Sequence, residues 1–437
     1  MIKLFVLITR YTKQLKSMLI IILFGCSLVS SAKSYYIDSG NGNDENNGTN
    51  AKSAWRSLEK VNSWNFNPGD TMFFLRDSEW TGGLIIKSSG TESKPIVYTS
   101  YGKGSAPVIK NPGVDSAVAI KINADWLVVE NFMVCECHAS GIRIDKGAGH
   151  NIIRNNEATQ VGLGIEVIGS HNLITKNYVH NLLMVVNNPG GDDDYGAVGV
   201  TLEFSSNNEV SYNRMINCKA PSLDYGFDGG MVEFYGNVDS CYVHHNWGEN
   251  CEGTFEVGGS KSLLSNNIIA YNICINNGDA LAGGFHVGGK FGVSIENFRI
   301  ENNVFADTSH SDYAIGFWNG TPRTSDFIYR NNIFYIPNYK RVSNETGFIH
   351  ESNLYYLGGK MNIGIEPGPG DKTGDPLFQN FTEKDFHLKA GSPAIDAGVN
   401  LKYTTDFDNS IVPKGAAPDI GAFEYGTSPA GKTGKIR

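Results

Sequence analysis

Glu166, Glu203, Glu233, Glu256 and His286 each stand in a short apolar run that closes on small residues. The runs are Ile165-Glu166-Val167-Ile168-Gly169, Leu202-Glu203-Phe204-Ser205-Ser206, Glu233-Phe234-Tyr235-Gly236, Phe255-Glu256-Val257-Gly258-Gly259 and Phe285-His286-Val287-Gly288-Gly289. Aligned on the last small residue, the five side chains form one column on five successive coils. Their apolar neighbours face inward, so the column faces out. Strands stacked about 4.8 Å apart would crowd these carboxylates until some hold a proton or a cation. Two chemistries use such a set. Oxygen-rich carboxylates bind a hard cation, and a protonated acid beside an ionised one cleaves a glycosidic bond. Neighbouring coils would space two carboxylates near the roughly 5 Å of retaining enzymes, and alternate coils about 9.6 Å, near the upper inverting limit. A solvated face of surface glutamates is the bland alternative, but a like-charge column is costly to keep.

The segments leading into these runs are acidic as well. Asp192-Asp193-Asp194-Tyr195 precedes Glu203, Asp224-Tyr225-Gly226-Phe227-Asp228 precedes Glu233, and Glu252 precedes Glu256. Asp194, Asp228, Glu233 and Glu256 are the candidates for a hydrolytic carboxylate pair. Glu203 and Asp194 would line a substrate path, with Tyr195, Tyr225, Tyr235 and Trp318 stacking on sugar rings or serving only as packing. Bases are few: Lys219, Lys261 five residues after Glu256, and Lys290 four after His286.

The elements that must hold these residues are marked by asparagine. Asn131, Asn156, Asn177, Asn213, Asn246, Asn272, Asn303 and Asn332 each close a β-like run, at intervals of 21 to 36 residues. A period in this range with β-branched runs and no helical pattern points to a solenoid, whose coils bury their apolar faces by stacking. A turn asparagine accepts left-handed backbone angles and bonds its counterpart one coil away. Its role is structural, and a second row, Asn181, Asn217, Asn250 and Asn276, is expected to do the same. The two longest intervals contain Asp194 and Asp228, so insertions rise beside the glutamate column, where binding sites are usually built.

The expected fold is all-β, one parallel β-helix domain with an amphipathic N-terminal capping helix near 53–62 that carries Trp55, Leu58 and Val61. The chain divides into a signal peptide (1–32), N-terminal cap and first coils (33–116), asparagine-ladder coils with the groove (117–340), and C-terminal coils and cap (341–437). Lys3, Arg10, Lys13 and Lys16, then an apolar run of about 12 residues and Ser30-Ser31-Ala32, read as a secretory signal. That run is too short for a membrane span of roughly 20. Leu23-Phe24-Gly25-Cys26 offers a lipid-anchor alternative, so the protein is expected to be exported, as a secreted, periplasmic or surface molecule. The remaining six cysteines lack metal-type spacing. Cys218 and Cys251 fall on neighbouring coils, within disulfide range or as buried thiols. The net charge of -9 without a basic patch excludes a nucleic-acid binder. No organic cofactor is implied, and a monomer is expected.

The Asp38-Ser39-Gly40-Asn41-Gly42-Asn43-Asp44 opening, the asparagine runs and the Gly391-Ser392-Pro393-Ala394-Ile395-Asp396-Ala397-Gly398 ending resemble right-handed parallel β-helix proteins of the pectin-lyase-like superfamily. That resemblance implies polysaccharide lyases, glycoside hydrolases, epimerases or tailspikes. The likeness to β-helix lyases implies a calcium ion on Asp228, Glu233 and Glu256, Lys261 as base, and His286 or Lys290 as acid. It favours cation-assisted β-elimination on a uronic-acid polysaccharide. Residue chemistry alone slightly favours hydrolysis, since acids outnumber bases, but with the resemblance the expectation is a lyase, with a glycoside hydrolase using a carboxylate pair in the same groove and a non-catalytic glycan-binding β-helix as the alternatives.

Overall fold

A computed structural model describes residues 31–191, 193–277, 281–282, 291–316, 327–343, 348–360 and 362–427, with 281–282 as backbone alone. The signal segment through residue 30 with Cys26, and also Asp192, His286, Lys290 and Trp318, lie outside the described residues. Among those described, no helix is long and apolar enough to cross a membrane.

The chain winds as a parallel β-helix. One sheet of twelve strands runs from Ser34–Ile37 to Ile349–Glu351, each strand pairing in parallel with that of the next coil. A typical coil leaves this sheet at Tyr242–His244, turns into Trp247–Glu249, and loops into Gly253–Gly258 before turning back. Alternation decides what each strand buries. Val200, Leu202, Val232, Phe234, Phe255 and Val257 point inward and are at most 1% exposed, each contributing roughly 1.5–3 kcal/mol by leaving water.

The ladder is real, with a changed start and a longer end. Asn156 Oδ1 accepts from the Phe132 amide at 3.1 Å, so Phe132, not Asn131, holds the first position. From there each asparagine amide donates to the Oδ1 one coil on: Asn156 to Asn177, Asn177 to Asn213, and so to Asn332 and Asn353, at 2.8–3.0 Å. Asp371 accepts in place of a further asparagine. All from Asn156 to Asn353 are at most 3% exposed. Left-handed angles fall instead on the preceding residue, Asn155, Lys176, Tyr212, His245 and Tyr271 among them. The expected second row exists on the surface, with Asn217 Nδ2 donating to Asn181 Oδ1 at 3.0 Å. A further buried ladder, Asn151, Asn172 and Asn208, supports the opposite corner.

The capping helix is shorter than expected, Leu58–Ser63, with Ser57 as N-cap accepting from the Lys60 amide. Leu58 and Val61 are buried, and Trp55 is buried just ahead of the helix. The C-terminal segment runs back along the flank. Ala394, Ile420, Ala422 and Phe423 pack with Ile273, Val304, Ile333 and Leu354, Tyr403 donates to Glu301 at 2.6 Å, and Tyr212 donates to Asn409 at 3.4 Å. All six cysteines described are buried free thiols, so Cys218 and Cys251 form no disulfide.

Candidate active site

Strand register corrects the acidic column. Lys121 pairs with Arg143, Arg143 with Glu166, Glu166 with Thr201, Thr201 with Glu233, Glu233 with Glu256, and Glu256 with Ala282. Glu203 stands two residues further along the strand, opposite Tyr235. The partner of Glu256 on the next coil is Ala282, and His286 lies outside the described residues. The small residues that close each run sit in corners of variable length, so they make a poor ruler. The inward pairs on either side of each column residue keep the register, because a slip of one residue would expose them.

The upstream end is a network of ion pairs. Arg143 Nη1 lies 3.2 Å from Glu166 Oε1 and its Nε 2.7 Å from Asp145 Oδ1, while Lys121 Nζ lies 3.1 Å from Asp145 Oδ2. Ser140 donates to Glu166 Oε2 at 2.5 Å, and Glu166 is only 5% exposed. Glu203 sits beside it, its carboxyl pushed up by burial and then by the Glu166 charge, with Arg143 partly offsetting both.

Downstream, Glu233 and Asp228 lie where burial and neighbouring carboxylates act together. Burial pushes Glu233 up to about 7, with Asp228 and Glu203 adding repulsion. Its Oε1 lies 3.3 Å from where a Cβ on Gly258 would stand, so the glycine of the next coil leaves room for the carboxyl. Asp228 rises to about 6, chiefly through burial and then through Asp194 and Glu252, although the Gly229 amide donates to its Oδ1 at 2.7 Å. Between the two acidic groups lies Thr201, 4% exposed, whose Oγ1 has no hydrogen-bond partner among the described residues.

The two long insertions are β-hairpins over this face. Met184–Val186 pairs with Tyr195–Gly196, and Ala220–Ser222 with Gly226–Asp228. Asp194 clasps them: its Oδ1 accepts from the Asn188 amide, and its Oδ2 from Ser222 Oγ and the Asp224 amide, at 2.7–3.0 Å. Burial raises the Asp194 carboxyl, but these hydrogen bonds outweigh it and hold the group below its ordinary value. Asp224 in turn accepts from the Gly190 and Asp193 amides. Tyr195 reaches the column, its hydroxyl pushed up by burial and by Glu166 and Glu203, and Tyr235 feels Glu233, Glu203 and Tyr195.

The structure therefore gathers Glu233, Glu256, Asp228, Glu203, Asp194, Tyr195 and Tyr235 on one face, while Tyr225 sits at the exposed tip of the second hairpin. Lys261 is exposed in the turn that leaves this face, its amide donating to the Phe291 carbonyl. The expected metal set also changes. Among the described residues the three carboxylates with oxygens all within 4.8 Å of one another are Asp193, Asp194 and Asp224, not Asp228, Glu233 and Glu256. This Asp triad could hold a metal ion. Sequence reading missed Arg143, Asp145 and Thr201. Ile142-Arg143-Ile144 and Val200-Thr201-Leu202 repeat the pattern around Glu166 and Glu233 and would have shown Arg143 and Thr201.

Stacked parallel coils with a carboxylate-lined outer strand beneath inserted hairpins define a β-helix solenoid with a built surface site. The chain belongs to the right-handed β-helix family, whose model matches residues 117–336, just over half of the protein. Lacto-N-biosidase of Bifidobacterium longum subsp. longum is 36% identical over 91 residues, covering 20% of this chain and 6% of that protein. The match thus spans a small fraction of the relative's length. Among solved structures, the pectate lyase Pel9A aligns with a TM-score of 0.57 at 16% identity, over 90% of this chain and 97% of that one. XylC in complex with xylose aligns with a TM-score of 0.58 at 11% identity, over 90% and 99%.

Proposed function

We propose that this protein is an exported enzyme that cleaves glycosidic bonds by hydrolysis on the face containing Glu233. One observation carries the reading. Glu233 stands on the outward side of Gly230–Tyr235, the strand that the hairpin ending at Asp228 leads into, and burial raises both carboxyls, with the Asp228 charge adding to the rise of Glu233. A carboxyl raised by burial is suited to hold a proton as the acid, and a carboxyl beside it to serve as the base or nucleophile. Glu233 donates its proton to the glycosidic oxygen as the bond to the anomeric carbon breaks. Ionised Asp228 takes a proton from the attacking water or attacks that carbon itself. Glu256, one coil on, flanks the pair, and the Arg143–Glu166 pair orients Glu203. The stretch shared with a lacto-N-biosidase supports a carbohydrate substrate.

Cation-assisted β-elimination on a uronate polymer is the second reading, favoured by the Asp193, Asp194 and Asp224 group. An all-oxygen donor set suits calcium. Yet both oxygens of Asp194 and both of Asp224 already accept hydrogen bonds that tie the hairpins together, which fits a clasp better than a cation cage. In that reading Glu233, rather than Lys261, would remove the C5 proton. Incubating the protein with neutral and acidic polysaccharides, with and without a chelator, separates the two. Reducing ends without ultraviolet-absorbing double bonds are expected, insensitive to chelation. Unsaturated ends that vanish on chelation would establish elimination instead, and turnover of no glycan would leave a binding protein.

A further inference from the structure

We propose that the groove takes an uncharged glycan, laying a sugar ring against Phe204 and Tyr195 and hydrogen-bonding its hydroxyls to Thr201. This rests on the glycan-cleaving reading and adds the substrate class. Large exposed apolar side chains occur on this part of the molecule: Leu183, Tyr195, Leu223, Tyr225 and Phe227 lie in the hairpins or beside them, and Phe204 follows the column strand Val198–Glu203. Phe204 is the most constrained of these. It is 54% exposed and has a left-handed φ of 46°, a backbone that a bulky side chain adopts only when held there. What holds it is visible. Its amide donates to the Tyr235 carbonyl at 3.0 Å, its ring meets Tyr235 edge-on at 6.0 Å, and it lies on Gly236, where a Cβ would come within 2.4 Å of the ring. The ring is thus propped from beneath while much of it stays open to solvent. Tyr195, 51% exposed, stands close enough to raise the Tyr235 hydroxyl.

Thr201 is a second, independent sign of a ligand. Its neighbours Val200 and Leu202 are fully buried, so its side chain faces the groove between Glu166 and Glu233. A buried hydroxyl without a partner is unfavourable, and a sugar hydroxyl would supply one. Charge then selects among sugars. Glu166, Glu203, Asp228 and Glu233 line the face, and among the described residues the column's cations, Lys121 and Arg143, are already engaged by Asp145 and Glu166. A uronate or sulfate would meet like charge, whereas the C–H face of a neutral pyranose suits an aromatic ring.

Calorimetric titration of Glu233→Gln protein, which should bind without consuming its ligand, tests this. The probes are neutral xylo-, gluco- and galacto-oligosaccharides against oligogalacturonate and alginate oligomers. At least one neutral series is expected to bind at least tenfold more tightly than either acidic series. Phe204→Ala, and Phe204→Leu as the milder variant, should weaken it about tenfold, a loss of about 1.4 kcal/mol. Thr201→Val should weaken binding without lowering the unfolding midpoint. Tighter binding of the acidic probes, indifference to Phe204 or binding of none would overturn the inference. A neutral ligand bound but never cleaved by wild-type protein would sink hydrolysis and leave this inference standing. Hydrolysis of an acidic polymer would do the reverse.

Discussion

Glu233→Gln should stabilise the protein, and only above a definite pH. Folding raises this carboxyl from 4.5 to about 7, so between those values the folded state binds its proton and the unfolded chain does not. Linkage then fixes the sign: wild-type stability declines as pH climbs from about 4.5 to about 7. At 1.36 kcal/mol for each pH unit the full loss is roughly 3 kcal/mol by pH 8, and relaxation of the neighbouring charges would reduce it. Glutamine keeps the shape of the protonated acid and carries no charge at any pH. Wild type and variant should therefore unfold at the same urea concentration at pH 4, with the variant pulling ahead by about 1–3 kcal/mol at pH 8. Asp228 contributes a similar slope to both proteins, so the difference between them isolates Glu233. A many-coiled solenoid can unfold in stages, so circular dichroism should be paired with hydrogen exchange at the Gly230–Tyr235 amides. Parallel midpoints from pH 4 to pH 8 would mean that Glu233 ionises as an ordinary surface acid, and the proton-donor argument would fail.

Asn213→Ala should cost about 2–4 kcal/mol, read from urea unfolding, because it strands the Asn177 amide and the Ile174 carbonyl in the core. Asp194→Ala should speed amide exchange at Asn188 and Asp224 more than tenfold while global unfolding shifts by less than about 1 kcal/mol. A chelator should change neither turnover nor melting temperature if Asp193, Asp194 and Asp224 act as a hairpin clasp, and a calcium-dependent rise in melting temperature would refute that. Arg143→Met should leave Glu166 buried without its cation, lowering stability by about 1–3 kcal/mol, read from urea unfolding at pH 7.

The coil period, the ladder and the outward face were legible because each rests on local chemistry repeated in stacked copies. Asn156 to Asn332 announce their turns by type, and the long intervals announce the two hairpins. Register across coils was harder. Anchoring on terminal small residues moved Glu203 by two positions and brought in His286, whereas the buried pairs, Ile142 with Ile144 and Val200 with Leu202, carried the true alignment and led to Arg143 and Thr201. Hydrophobic pattern shows inside from outside, and it fixes position along a strand only when both flanking residues are compared. The Asp194 clasp and the return of the C-terminal segment to Tyr212 join residues far apart in the chain, through single side chains that leave no periodic trace.

The claim that Glu233 holds and delivers the catalytic proton is tested most directly by the pH dependence of kcat/KM on whichever glycan the protein cleaves. Burial together with Asp228 and Glu203 places Glu233 near 7, so kcat/KM should fall about tenfold for each pH unit above that value. In Glu233→Gln the residual activity should be at least about a hundredfold lower and lack that limb. A wild-type profile flat from pH 6 to pH 9, or a variant that keeps the alkaline limb, would contradict the assignment.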